Sequence, residues 1–64
     1  MDYVFTFETK QGYHIETFLK YFECLPLAMD WAKLKIGSKA DNGSVIGKVR
    51  IAGEDEEPII VVEK

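Results

Sequence analysis

The sequence predicts an α+β fold, ββαββ, in which a four-stranded antiparallel sheet carries one helix packed on one face. Apolar residues alternate with a period of two before residue 22 and after residue 44, as they do in half-buried strands. Between Leu25 and Ile36 they recur at the spacing of a helix. The segment from Gly37 to Gly43 separates the helical stretch from the later strands. One helix laid on an antiparallel sheet buries the apolar side of the helix and one face of the sheet. The pattern leaves the order of the strands open.

The first two strands form a predicted hairpin. Aromatic, β-branched or leucine side chains occupy every second position of both strands: Tyr3, Phe5 and Phe7, then Tyr13, Ile15, Thr17, Leu19 and Tyr21. Gly12 allows the positive φ of a short connecting loop. We therefore expect the odd positions of both strands in the core. Phe18 and Phe22 interrupt this alternation and predict a bulge or burial on both faces near residues 18–22.

The helix is predicted from Leu25 to Ile36. Pro26 suits its first turn, Cys24 is the expected N-cap, and Gly37 is expected to end the helix with positive φ. One stripe of the helix supplies core residues, and the strands supply the rest. The predicted core is Tyr3, Phe5, Phe7, Ile15, Leu19, Leu25, Ala28, Met29, Ala32, Ile36, Val45, Val49 and Ile51.

Strand three is predicted to place Val45, Val49 and Ile51 on the core face and Ile46, Lys48 and Arg50 on the other face. Gly47 falls on the core side, which predicts a bulge or a close approach by the helix. An acidic turn at residues 53–58 leads to a short last strand at residues 59–62. A smaller apolar patch is expected on the outer face of the sheet, formed by Phe18, Ile46, Ile60 and Val62.

The length and composition describe one small domain, residues 1–64. Eleven acidic and eight basic residues give a net charge of -3, which does not favour binding nucleic acid through bulk positive charge. The single cysteine cannot form an internal disulfide, so an efficient core or oligomerisation must supply stability. We find no signal-peptide pattern and no apolar run long enough to cross a membrane, and we expect a cytoplasmic location.

A second apolar stripe on the helix consists of Leu27, Trp31 and Leu34, nearly opposite the predicted core stripe. Three arrangements are open: a rotated helix with Trp31 in the core and Met29 at the margin, residues beyond the helix folding back over the stripe, or an exposed apolar patch. A chain this short gains from burying a Trp and two Leu. We expect these three residues to be self-association anchors of a homodimer.

Residues for catalysis and for metal or cofactor binding are few. His14 and Glu16 lie two positions apart and are expected to share a strand face, whereas Cys24 lies at the far end of the hairpin. No Cys and His residues have the spacing of a zinc site. We therefore predict a protein that is not an enzyme and has no metal and no cofactor.

The segment from Tyr21 to Ala32 resembles the strand-to-helix passage of small phage proteins built strand–strand–helix–strand, a group that includes inhibitors of host RNA polymerase. The triplet Lys48-Val49-Arg50 is similar to a basic triplet on the strand after their helix. The resemblance covers roughly residues 3–52. It implies that Lys48 and Arg50 face outward and contact a larger macromolecule. This chain departs from the pattern by its additional segment from residue 53 to residue 64.

The predicted function is that of a small non-enzymatic protein-interaction module, homodimeric and of phage or accessory type, which binds a larger macromolecule. Leu27, Trp31 and Leu34 are the predicted self-association residues, and Lys48 and Arg50 the predicted partner contacts. The alternative is a nucleic-acid-binding module that uses Lys20, Lys48, Arg50 and Phe18 on an exposed sheet face.

Overall fold

The computed structural model describes residues 1–53 and 56–63, and the side chains of residues 1–53 and 60–63. Its elements are β1 (Asp2–Glu8), β2 (His14–Tyr21), α1 (Leu25–Lys35), β3 (Lys48–Gly53) and β4 (Glu56–Glu63). The strands form one antiparallel sheet in the order β2-β1-β3-β4, with α1 on one face. The predicted α+β fold is confirmed. Within the predicted acidic turn, Glu54 and Asp55 lie outside the described residues.

The core lies between α1 and one face of the sheet. Its buried side chains are Tyr3, Phe5, Phe7, Ala28, Ala32, Ile46, Val49, Ile51 and Val62. The prediction is confirmed for all of these except Ile46 and Val62, which were expected on the outer face. Four further predicted core residues, Ile15, Leu25, Met29 and Ile36, are partly buried against this cluster.

The alternation in β2 is opposite to the predicted one because the hairpin contains a β-bulge. Phe7 pairs with Glu16 while Glu8 pairs with His14, so Ile15 is an extra residue on β2. Phe18 pairs with Phe5 and therefore faces the helix. The expectation that Leu19 is a core residue is wrong, since it faces away from the helix and is 60% exposed. A bulge or burial on both faces was expected near residues 18–22, but the bulge occurs at Ile15, and Leu19 and Tyr21 on the face away from the helix are exposed.

The segment before β3 also differs from the prediction. Ile46 is buried and Val45 is half exposed, the reverse of the expected arrangement. The backbone explains this reversal: the N–H of Ile46 donates to the carbonyl of Ser38 at 2.9 Å, and the N–H of Gly37 donates to the carbonyl of Ile46 at 2.7 Å. These bonds tie Ile46 to the end of the helix instead of continuing β3.

The predicted outer apolar patch is therefore wrong as a whole. Its four residues lie on the core side, where Ile46 and Val62 are buried and Phe18 and Ile60 pack against them. In β4, Val62 pairs with Val49 and Ile60 with Ile51, so the register places both with buried partners.

Trp31 packs against the sheet within an aromatic cluster. Its ring centroid lies 5.1 to 6.1 Å from the four phenylalanine rings of the cluster: Phe5, Phe7, Phe18 and Phe22. Of the three arrangements left open by the sequence, the structure has the rotated helix. Trp31 is half-buried in this orientation, whereas Leu27 and Leu34 on the same stripe are 47% and 79% exposed. Met29 is partly buried at the margin.

Small residues explain the orientation of α1. Ala28 and Ala32 are fully buried, and the helix backbone approaches β3 and β4 most closely. Over β1 and β2 the aromatic rings fill the wider space between the layers. The space between the helix and the sheet is therefore narrower over β3 and β4, where alanine methyl groups fill it, than over β1 and β2, where the indole and phenyl rings fill it.

The ends of α1 and the close contact at Gly47 complete the fold. Cys24 is the N-cap, without a side-chain hydrogen bond, Pro26 lies in the first turn, and Gly37 has a φ of 93°, as expected. Gly47 is close to the backbone of Lys10 and not to the helix: a Cβ at Gly47 would lie 2.5 Å from the nitrogen of Lys10. The N–H of Gly47 donates to the carbonyl of Glu8 at 2.8 Å.

We expect Trp31→Ala to destabilise the protein by about 2–4 kcal/mol, because it leaves a cavity among four phenylalanine rings that cannot close. Urea unfolding followed by circular dichroism measures the change. Leu34→Ala is the matched control on the same helix and should change the free energy of unfolding by less than about 0.5 kcal/mol. Equal effects of the two changes would contradict the described orientation of α1.

We expect Gly47→Ala to lower the free energy of unfolding by about 2 kcal/mol or more. The added methyl group would clash with the backbone of Lys10, which cannot move away by changing a rotamer. Thermal unfolding is the measurement. Gly43→Asn is the control, because Gly43 has a φ of 87° with open space around it and asparagine tolerates that conformation. If the melting temperature of Gly47→Ala is unchanged, the close approach of residues 10 and 47 is wrong.

Candidate functional site

The sheet face opposite α1 carries the two predicted partner-contact residues. Cross-strand pairing aligns Thr17, Thr6 and Arg50 in one row and His14, Glu8 and Lys48 in the next. Lys48 and Arg50 therefore share the open face, as the sequence predicts for alternate positions of one strand. Whether a larger macromolecule binds there stays a prediction.

Arg50 already has a partner within the chain. Its Nε donates to Oε2 of Glu8 at 3.0 Å, and the Glu8 side chain is only 13% exposed. The other carboxylate oxygen of Glu8, Oε1, is buried and has no hydrogen-bond partner among the described residues. Since a buried carboxylate is costly without a cation beside it, Arg50 stabilises this part of the sheet.

The residues considered for catalysis do not come together. The bulge at Ile15 places His14 opposite Glu8 on the open face and Glu16 opposite Phe7 on the helix face. The expectation that His14 and Glu16 share a face is wrong for that reason. His14 instead hydrogen-bonds Thr17, with 2.8 Å between Nε2 and Oγ1. Within the described part of the chain, no three His, Cys, Asp or Glu side chains are grouped to hold a metal ion.

A cleft lies on the helix face, between β2, the C-terminal half of α1 and the segment after it. Its volume is about 350 Å³. The floor is apolar and mostly aromatic, with Phe7, Phe18, Trp31 and Ile46. The lining also includes three lysines, Lys20, Lys35 and Lys39, and two acids, Glu16 and Asp41. We call this surface the lysine cleft.

Two of the lysines lie over one aromatic ring. The Nζ atoms of Lys20 and Lys35 are each 5.3 Å from the centroid of a Trp31 ring. Such cation–π contacts are favourable, but they bring two like charges to one ring. Over residues 1–53 and 60–63, the one ion pair within 4.0 Å is that of Arg50 with Glu8, so neither ammonium has a carboxylate partner there. The cleft is suited to an anion.

The predicted nucleic-acid surface is divided between the two faces of the sheet. Lys20 and Phe18 pair with Tyr3 and Phe5 on the helix face, whereas Lys48 and Arg50 lie on the open face. The error follows from the β2 register, because the bulge moves the even positions of that strand to the helix side.

Sequence reasoning missed the lysine cleft. The spacing of Trp31 and Lys35, four residues apart on a helix, was a usable local signal, since such side chains are neighbours. To add Lys20 to this pair requires the corrected register of β2, and Lys39 lies outside the helix and the four strands, in an isolated antiparallel bridge with Val45.

Comparisons with family models, with curated proteins and with solved structures found no match to this chain. The candidate site therefore stands on its geometry alone. A separate finding concerns membranes: none of the described helical segments combines the length and the apolar character needed to span one.

We expect Arg50→Ala to lower the free energy of unfolding by about 1–2 kcal/mol, because the carboxylate of Glu8 would stay buried without its cation. Lys48→Ala removes the same charge from the same face and should cost less than about 1 kcal/mol. Chemical denaturation of both variants measures the difference. A loss that is no larger for Arg50→Ala than for Lys48→Ala would show that the ion pair is not structural.

Proposed function

We propose that this protein is a non-enzymatic interaction module, homodimeric and cytoplasmic, that binds an acidic segment of a larger protein in the lysine cleft. The observation that carries the proposal is the pair of ammonium groups of Lys20 and Lys35 over Trp31, without a carboxylate partner among the described residues. Carboxylates of a bound segment would supply that partner and relieve the repulsion of the two cations.

The cleft favours carboxylates over nucleobases. Trp31 is already contacted by Phe7, stacked at 6.1 Å, and by two ammonium groups, so its ring is not a vacant platform for base stacking. Glu16 and Asp41 on the rim and the net charge of -3 oppose a long phosphate backbone. A short acidic segment with apolar side chains suits a basic rim above an aromatic floor.

Lys48 and Arg50 provide a second candidate contact on the open face, as the resemblance to small phage proteins implies. The Arg50 side chain is 42% exposed although it pairs with Glu8, so a partner could still reach it. This contact belongs to the same class of function, in which a small protein occupies a surface of a larger macromolecule.

The test is fluorescence anisotropy with a labelled hexapeptide that alternates glutamate with valine. We expect the double variant Lys35→Gln/Lys39→Gln to bind it about tenfold more weakly, since losing two charge contacts of the exposed type costs about 1–2 kcal/mol. The double variant Lys10→Gln/Lys33→Gln removes the same net charge away from the cleft and should bind like the wild type.

Two further probes separate the alternatives. A lysine–valine hexapeptide should not bind, because the cleft would repel it. A labelled oligothymidylate that binds more tightly than the acidic peptide, and depends on Lys35 and Lys39, would favour the nucleic-acid module instead. If the acidic peptide binds the two double variants equally well, the lysine cleft is not its site.

A further inference from the structure

The two edges of the sheet differ in how well they resist pairing with another strand. β4 at one edge contains Pro58, which has no N–H to donate, and ends at the charged residue Glu63. β2 at the other edge runs for eight residues without proline, and its bulge lies at its start. Among the described strands, β2 has a neighbour on one side only.

The backbone groups at the β2 edge follow from its pairing with β1. The N–H of Phe22 donates to the carbonyl of Met1 at 3.0 Å, and the N-terminal amine of Met1 donates to the carbonyl of Phe22 at 2.9 Å. Bonded and non-bonded pairs alternate along an antiparallel ladder. Counting back from Phe22, the even positions of β2 bond to β1, and Thr17, Leu19 and Tyr21 direct their N–H and C=O groups to the uncovered edge.

We propose that a second copy of the chain pairs with this edge, β2 to β2 and antiparallel, with Phe18 on the two-fold axis. The inference rests on the proposed homodimer and assigns its surface. In this register Thr17 of one copy lies opposite Leu19 of the other, and these residues exchange the edge N–H···O=C bonds. Phe18 faces its own equivalent on the helix side.

Charge complementarity selects this register from the others. Directly opposite residues in a sheet share a face, so the axis must pass through a residue and not between two. With the axis at Phe18, Glu16 of each copy lies opposite Lys20 of the other, and both side chains are on the helix face. Moving the axis to Thr17 or Leu19 leaves Glu16 opposite a phenylalanine. Two cross-strand ion pairs therefore form in one register and in neither neighbour.

The open face adds apolar contacts to the same pairing. Leu19 and Tyr21 are 60% and 63% exposed in the single chain. Across the axis, Leu19 approaches Thr17 of the second copy. Because the axis is perpendicular to the sheet, both helices lie on the same side of a continuous eight-stranded sheet. In this dimer Lys20 pairs with Glu16 of the second copy, and Lys35 and Lys39 of each cleft are left for an acidic partner that contacts both copies.

The experiment is a charge exchange followed by light-scattering mass on a size-exclusion column. Wild type should be a dimer. Glu16→Lys and Lys20→Glu each place like charges opposite one another twice, and each should weaken the dimer at least about tenfold. Mixing the two single variants should restore a dimer, because each copy then carries the charges that the other lacks. The double variant Glu16→Lys/Lys20→Glu should also dimerise, and Lys33→Glu should not change the mass.

A second measurement does not depend on variants. The amide protons of Thr17 and Leu19 should exchange more slowly as the protein concentration rises, and the change should be larger than that of Phe18, which is already bonded to β1.

Three outcomes overturn the assignment. A monomeric wild type at about 100 μM removes both the homodimer and this surface, but leaves acidic-peptide binding to its own test. Dimers that persist in both single variants place the interface elsewhere, and Leu27→Asp/Leu34→Asp then tests the helix surface. Single variants that do not recover on mixing show that the pairing of Glu16 with Lys20 is wrong, even if the dimer itself is real.

Discussion

The packing of Trp31 among four phenylalanine rings determines how the helix lies on the sheet. A single helix can turn only one side to a sheet, and the side that carries Trp31 contacts four phenylalanine rings there. Once Trp31 faces inward, Ala28 and Ala32 meet β3 and β4, and Leu27 and Leu34 remain outside. The lysine cleft is a consequence of the same contact, since Lys20 and Lys35 reach the exposed part of the ring.

The bulge at Ile15 determines which side chains of β2 face the helix. By inserting one residue opposite the step from Phe7 to Glu8, it moves Phe18 and Lys20 to the helix side and Leu19 to the open side. The aromatic cluster, the basic rim of the cleft and the pairing of Glu16 with Lys20 across a β2 edge all require that register. Without the bulge, Glu16 and His14 would share a face, and β2 would present a different edge.

Much of the fold could be predicted from the sequence because its signals are local. The aromatic alternation of β1, the helical spacing after Cys24, Pro26 in the first turn and the positive φ of Gly37 depend on a few neighbouring residues. The candidate site could not be predicted in the same way. It needs the register between β1 and β2 and the path of residues 37–46, and both depend on contacts between distant parts of the chain.

By itself, the sequence determined an antiparallel α+β domain, the approximate bounds of its elements, and core residues such as Phe5, Ala28 and Val49. These follow from the spacing of apolar residues and from the residue types in the turns, which depend on neighbouring positions in the chain. Only the tertiary structure decided that Trp31 packs inward, that Ile46 is buried and that Leu19 is exposed. The first depends on which apolar side of the helix packs on the sheet, the second on backbone hydrogen bonds between Ile46 and residues 37 and 38, and the third on the bulge at Ile15. A sequence pattern identifies the apolar residues, but the packing of the layers decides which of them are buried.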